Sequence, residues 1–167
     1  MDSIYTMPGH LIRRLNQISA SVFAERMKAA GLDLTSVQFA ALATLGAHPG
    51  LDQATLAGRI AYDRATIGGV VDRLEQRGLL TREVSPRDRR ARVLSLTPEG
   101  LALRDRLIPL VRAMQPDLLP GLTEAERAQF VALAAKAAEA GNALSRAPLV
   151  RPDAEPAPAP GTEHVTE

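Results

Sequence analysis

The stretch from Asp52 to Leu96 constrains the fold more than any other part of the chain. Asp52 can cap a short helix from Gln53 to about Ile60 that turns Leu56, Ala57 and Ile60 inward. Asp63 caps a second helix, to about Arg77, whose Ile67, Val70, Val71 and Leu74 form one apolar stripe at helical spacing. Gly78 is its stop, since a glycine just past a helix relieves the left-handed backbone there. Residues 79–84 and 93–96 then read as two short strands around the turn-prone segment 85–92, a β-hairpin with a charged tip. Short helix, tight turn, helix and hairpin, in that order, make a winged helix-turn-helix.

Helical patterns flank this core on both sides. Met7 to Ala30 is amphipathic, with Leu11, Leu15, Ile18 and Val22 on one stripe and Gly31 at its end. Thr35 caps a helix to about Leu45, and His48-Pro49-Gly50 is a turn. Thr97-Pro98 starts a long helix to about Leu119, with Pro109 inside it predicting a kink. Thr123 and Glu126 form a capping box that opens a helix to about Leu144. Aromatic residues are only 3% of the chain, too few for an all-β core, so the expected fold class is mainly α with a small β-hairpin. The expected organisation is an N-terminal dimerisation helix (1–33), a winged core (34–100), C-terminal dimerisation helices (101–145) and a disordered proline-rich tail (146–167). The first-helix stripe together with Leu103, Leu107, Leu110, Val131 and Leu133 exceeds what the winged core can bury, which predicts a homodimer. From Ala147 on, proline density and a net charge of −3 leave nothing to bury, so removing that tail is expected to spare folding and DNA binding.

Charge is uneven. The segment from Arg59 to Arg92 holds nine arginines against five carboxylates, although the whole chain carries only +1. A local basic segment in a near-neutral chain fits either a polyanion touched at one place or a solvated face. The other function classes find little support. The three histidines lie far apart, cysteine is absent, and no glycine-rich phosphate loop or nucleophile elbow is present, so no enzyme, metal or cofactor is expected. No apolar run approaches the length of a membrane span and no leader pattern opens the chain, so the expected location is the cytoplasm, with no membrane partner. A winged helix used only for protein contacts is the alternative, but it would not need the arginines of the wing.

Asp88-x-Arg90-x5-Leu96-Thr97-x-x-Gly100, preceded by the run from Asp63 to Leu79 and by Leu34-Thr35-x-x-Gln38-Phe39, resembles the MarR family of bacterial transcription regulators over roughly residues 8–144. The resemblance implies a dimeric repressor that binds double-stranded DNA at an inverted repeat, is usually released by a small molecule, and dimerises through its terminal helices. It also implies that Arg90 enters the minor groove and that Asp88 orients it, while Arg87 and Arg89 add charge at the tip. The opening from Pro8 to Leu15 resembles members that sense small aromatic acids such as hydroxybenzoates or hydroxynicotinate.

The residues themselves support a DNA surface at the second helix of the motif. At 100° per residue, Ala65, Gly69, Asp72 and Gln76 lie opposite the buried stripe, flanked by Thr66, Gly68 and Arg73. Two helical glycines cost ~2 kcal/mol relative to alanine. Either DNA approaches the backbone there, or a neighbouring helix packs tightly. So bare a face offers few hydrogen bonds to bases, so Arg64, Thr66, DNA shape and the wing must supply specificity. Arg73 and Arg77 are phosphate contacts or solvated helix charges. On the first helix, Arg14 borders the apolar stripe and His10 lies one turn earlier on the same edge. With Tyr5 and Phe39 as aromatic walls, they could hold a small carboxylate. The other reading is an ion pair of Arg14 with Glu25 or Asp105.

Overall fold

The computed structural model describes residues 3–85 and 92–152. Its helices are α1 (Pro8–Ala29), α2 (Ser36–Ala47), α3 (Gln53–Arg59), α4 (Ile67–Gln76), α5 (Pro98–Ala113) and α6 (Glu124–Ala140), and β1 (Leu80–Val84) pairs with β2 (Arg92–Leu96). The two strands are antiparallel in the register Leu80↔Leu96 to Val84↔Arg92. Leu51 adds a one-residue bridge to Leu94 on the other side of β2. No helix among the described residues is long and apolar enough to cross a membrane.

Local chemistry explains the boundaries. The Thr35 hydroxyl accepts from the Gln38 amide, and the Gln38 side chain accepts from the Thr35 amide, closing a capping box on α2. Asp52 caps α3 through the Thr55 amide at 2.8 Å, and Thr123 with Glu126 caps α6. Three helices end in the same motif, in which one amide reaches back five residues across a tight left-handed turn. At α1 and α4 the left-handed residue is a glycine, Gly31 at φ +69° and Gly78 at φ +68°. At α3 it is Ala61, at φ +50°, with Tyr62 N donating to Ala57 O at 2.9 Å.

Three boundaries differ from the sequence reading. α4 starts at Ile67, because the Asp63 carboxylate takes the Ala65 amide at 2.7 Å and makes a turn of residues 64–66 before the helix. α5 continues through Pro109 but ends at Ala113, followed by a 3₁₀ turn, Gln115–Leu118. α6 ends at Ala140, and another 3₁₀ turn covers Asn142–Leu144.

A single apolar cluster gathers Phe23 and Met27 of α1, Leu42 and Leu45 of α2, Leu56 of α3, Ile67, Val71 and Leu74 of α4, Leu80 and Leu94 of the hairpin, and Leu107 of α5. α5 is locked onto it at its first turn. Thr97 Oγ1 accepts from the Gly100 amide at 3.0 Å and donates to Gly78 O at 2.7 Å. A Cβ on Gly100 would sit 1.9 Å from Leu79 O, so only glycine fits this seam. Leu107 is therefore buried in the winged core, a correction to the expected surplus, and Leu103 packs partly against the same core. What remains uncovered is the N-terminal half of α1 and all of α6: Ile12 is 67% exposed, Val131 60% and Leu133 59%.

Residues 146–152 also depart from expectation. They lie against α3 and the turn before α4, with Val150 N donating to Gly58 O at 2.8 Å. The rest of the expected tail, residues 153–167, lies outside the described residues.

Candidate nucleic-acid interface

The outer surface of the helix-turn-helix is built by α3, the turn at residues 61–66, and α4. The buried stripe of Ile67, Val70, Val71 and Leu74 fixes the roll of α4, which turns Gly69, Asp72, Arg73 and Gln76 outward. Arg64, Ala65 and Thr66 are exposed in the turn that leads into it. The Thr66 hydroxyl donates to Asp63 O at 3.1 Å, while Arg64 makes no hydrogen bond or ion pair with any described residue.

The two glycines can now be judged by what a side chain would meet. A Cβ on Gly68 would lie 3.5 Å from Gln53 Nε2, and one on Gly69 would lie 3.8 Å from Arg73 Nη2. Both are ordinary contacts. Packing inside the protomer gives no reason for glycine at either position.

Two arginines have structural partners. Arg77 donates to Asp33 O, tying the end of α4 to the loop before α2. Arg82 on β1 reaches two carboxylates of α4, Glu75 at 2.8 Å and Asp72. It fixes the hairpin to α4 and offsets the acid on the outer face of that helix. Arg73 has no such partner among the described residues. Asp88, Arg89 and Arg90, together with Arg87, lie in the segment 86–91, outside the described residues.

Asp52, which caps α3, is the titrating group of this region that departs from its ordinary range. Partial burial pushes its carboxyl up, but the amide and hydroxyl of Thr55 together pull it below the usual aspartate value.

The candidate ligand residues are only partly assembled. Tyr5 and His10 meet edge to face at 5.6 Å, and His10 Nε2 is buried without a partner. Phe39 packs on Phe23 at 6.3 Å and is half-buried. Arg14 is exposed and has no hydrogen bond or ion pair with any described residue. Within the protomer the ion-pair alternative is not made, since Asp105 is held by Arg104 at 2.6 Å. A cavity of about 810 Å³ opens beside α1, between the Gln115–Leu118 turn and α6, with Leu15, Ser19, Leu119, Phe130 and Val131 in its wall. Arg14 is not part of that wall.

The MarR family profile matches residues 34–91, from the start of α2 to the wing. A relative that covers most of both chains decides the assignment: the HTH-type transcriptional repressor NicR of Pseudomonas putida is 37% identical over 128 residues, 77% of this chain and 80% of its own. The chain belongs to the MarR family. Solved structures agree with the fold of this MarR-family transcription regulator. PcaV of Streptomyces coelicolor, determined in complex with its natural ligand, has 39% identity and a TM-score of 0.75, over 84% of this chain and 98% of PcaV. BpsR of Bordetella bronchiseptica, whose DNA binding is regulated by 6-hydroxynicotinic acid, has 31% identity and a TM-score of 0.77, over 83% and 98% of the two chains.

Proposed function

We propose that this MarR-family regulator is a homodimeric repressor that binds an inverted-repeat DNA site and is released by a small aromatic carboxylic acid. The observation that carries the DNA half is the opening of α4. Arg64, Ala65, Thr66, Gly68 and Gly69 leave it bare, two of these are glycines that no intramolecular contact demands, and the Arg64 guanidinium is unpaired among the described residues. A helix so stripped lets a DNA backbone come close, with Arg64 and Arg73 available to phosphates and Arg82 holding the wing in place. Arg90, oriented by Asp88, and Arg89 are the wing contacts in this reading. The dimer half rests on the uncovered apolar positions of α1 and α6.

The effector reading rests on Arg14. Its guanidinium is free to take a carboxylate bidentately, the Tyr5–His10 pair adds an aromatic edge one turn away, and Phe39, packed on Phe23 of α1, is the further aromatic wall in this reading. BpsR supports an aromatic acid, because its DNA binding is regulated by 6-hydroxynicotinic acid, and PcaV, determined in complex with its natural ligand, supports an effector. Release requires that the acid bind one dimer shape more tightly than the DNA-bound shape. The test is a gel shift of the full chain and of Arg14→Ala against a panel of hydroxybenzoates and hydroxynicotinates. At least one acid is expected to release the wild type, and Arg14→Ala is expected to bind DNA yet ignore it. A wild type deaf to every acid, or a mutant that responds equally, would overturn the effector assignment and leave the DNA reading standing.

A further inference from the structure

The segment after α6 forms a strap across the helix-turn-helix. Asn142 grips it with both atoms of its amide: Oδ1 accepts from Leu149 N at 2.7 Å and Nδ2 donates to Leu149 O at 3.0 Å. Arg151 anchors its far end on Glu139 at 2.6 Å. Between these points Val150 N donates to Gly58 O, and a Cβ on Gly58 would lie 3.0 Å from Val150 Cγ2. Gly58, buried on α3, is thus the seat of the strap. The seat brings Arg146 over the turn that leads into α4. Its guanidinium lies 3.7 Å from Asp63 Oδ2, while its side chain remains 94% exposed.

Arg64 and Arg146 line one open cleft between strap and turn, with Tyr62, Asp63 and Ala65 in the same wall. Asp63 is the single carboxylate there, and its other oxygen is taken by the Ala65 amide. The strap does not cover the recognition turn: Arg64, Ala65 and Thr66 stay exposed with it in place. The described strap, residues 146–152, carries two arginines and no acid. We infer that the strap is a second DNA-contacting arm, in which Arg146 joins Arg64 to hold a backbone phosphate beside the start of α4. This rests on the DNA reading above and extends it to a part of the chain whose composition gave no reason to expect a role. Two guanidiniums converging on one phosphate suit its geometry and charge, and they position the protein on the duplex without reading bases.

The experiment measures binding against salt concentration, using a duplex enriched by the full-length chain from a randomised pool. Neutralising one phosphate per half-site contributes about 0.9 to the slope of log Kobs against log[salt]. Arg146→Ala is expected to bind several-fold more weakly and to lose about that much slope per half-site. Val150→Asp, which unseats the strap while keeping Arg146, is expected to lose as much. A chain ending at Pro152 should keep the full slope, and one ending at Ser145 should lose it. Circular dichroism on each variant separates these effects from misfolding. If Arg146→Ala and the chain ending at Ser145 bind with unchanged slope, or bind more tightly, the inference is wrong. A full-length chain that enriches no duplex would instead overturn the DNA reading itself.

Discussion

The winged core and the terminal helices handle their apolar side chains in opposite ways. In the core, α2, α3, α4, the hairpin and α5 close on one another, so that Leu42, Leu45, Leu56, Leu74 and Leu107 are fully buried in a single protomer. In α6 no residue is buried, and the N-terminal half of α1 exposes Leu11 and Ile12. The core is finished within one chain, and the terminal helices are not. In the proposed reading, a second copy of the chain covers these bare apolar side chains.

The contrast makes its sharpest prediction in the core. Leu74→Ala removes a fully buried side chain and should cost about 2–5 kcal/mol, by the same amount at every protein concentration. Chemical denaturation at two concentrations checks this. On the terminal side, Leu133→Asp should leave the core folded but weaken self-association by at least about 2 kcal/mol, roughly 30-fold in Kd. Sedimentation would show a monomer where the wild type is dimeric. If Leu133→Asp instead melts the protomer in a concentration-independent way, the contrast between the regions fails.

Gly69→Ala sharpens the comparison from within the core. It should stabilise α4 by about 1 kcal/mol, since the space is open and alanine is the better helix former. In the proposed reading DNA binding should weaken at the same time, because the methyl group would stand where the duplex approaches. A variant that is both more stable and as tight on DNA would return Gly69 to being an unremarkable surface position. The smallest effect concerns the Asp52 cap. Its carboxyl titrates below the ordinary range in the folded chain, so its contribution is fully present above the unfolded value near pH ~4 and is lost as pH falls through the lower folded value. Asp52→Asn keeps a capping oxygen and should flatten that acid limb, by less than about 1 kcal/mol, in denaturation curves taken at successive pH values.

The core was legible in the sequence because each of its devices is local. Thr35, Asp52, Gly78 and Thr97 with Pro98 announce their roles within a few residues. The seam at Gly100 was visible only as part of a motif, and its reason, the Leu79 carbonyl against which a side chain would collide, is tertiary. The start of α4 was read three residues early because Asp63 can cap either a helix or a turn, and here its carboxylate chooses the Ala65 amide two residues on. Leu107 looked like an interface residue because spacing cannot say which face of a long helix meets the core. The strap was missed for a different reason. One valine on a glycine and one asparagine clamping a backbone carry no compositional signal, and the prolines around them pointed towards an undocked tail. Of the site, the bare start of α4 was readable from periodicity, whereas the partner of Arg82 and the seat of Arg146 required the fold.

The most direct test joins both regions in one observation. Footprinting of the full chain on the duplex it enriches should show two protected patches related by a dyad and centred about one helical turn, ~34 Å, apart. That pattern needs the core to contact DNA and the terminal faces to set the two-fold. A single, asymmetric patch of one half-site at saturation, from a chain that sediments as a monomer, would contradict the account.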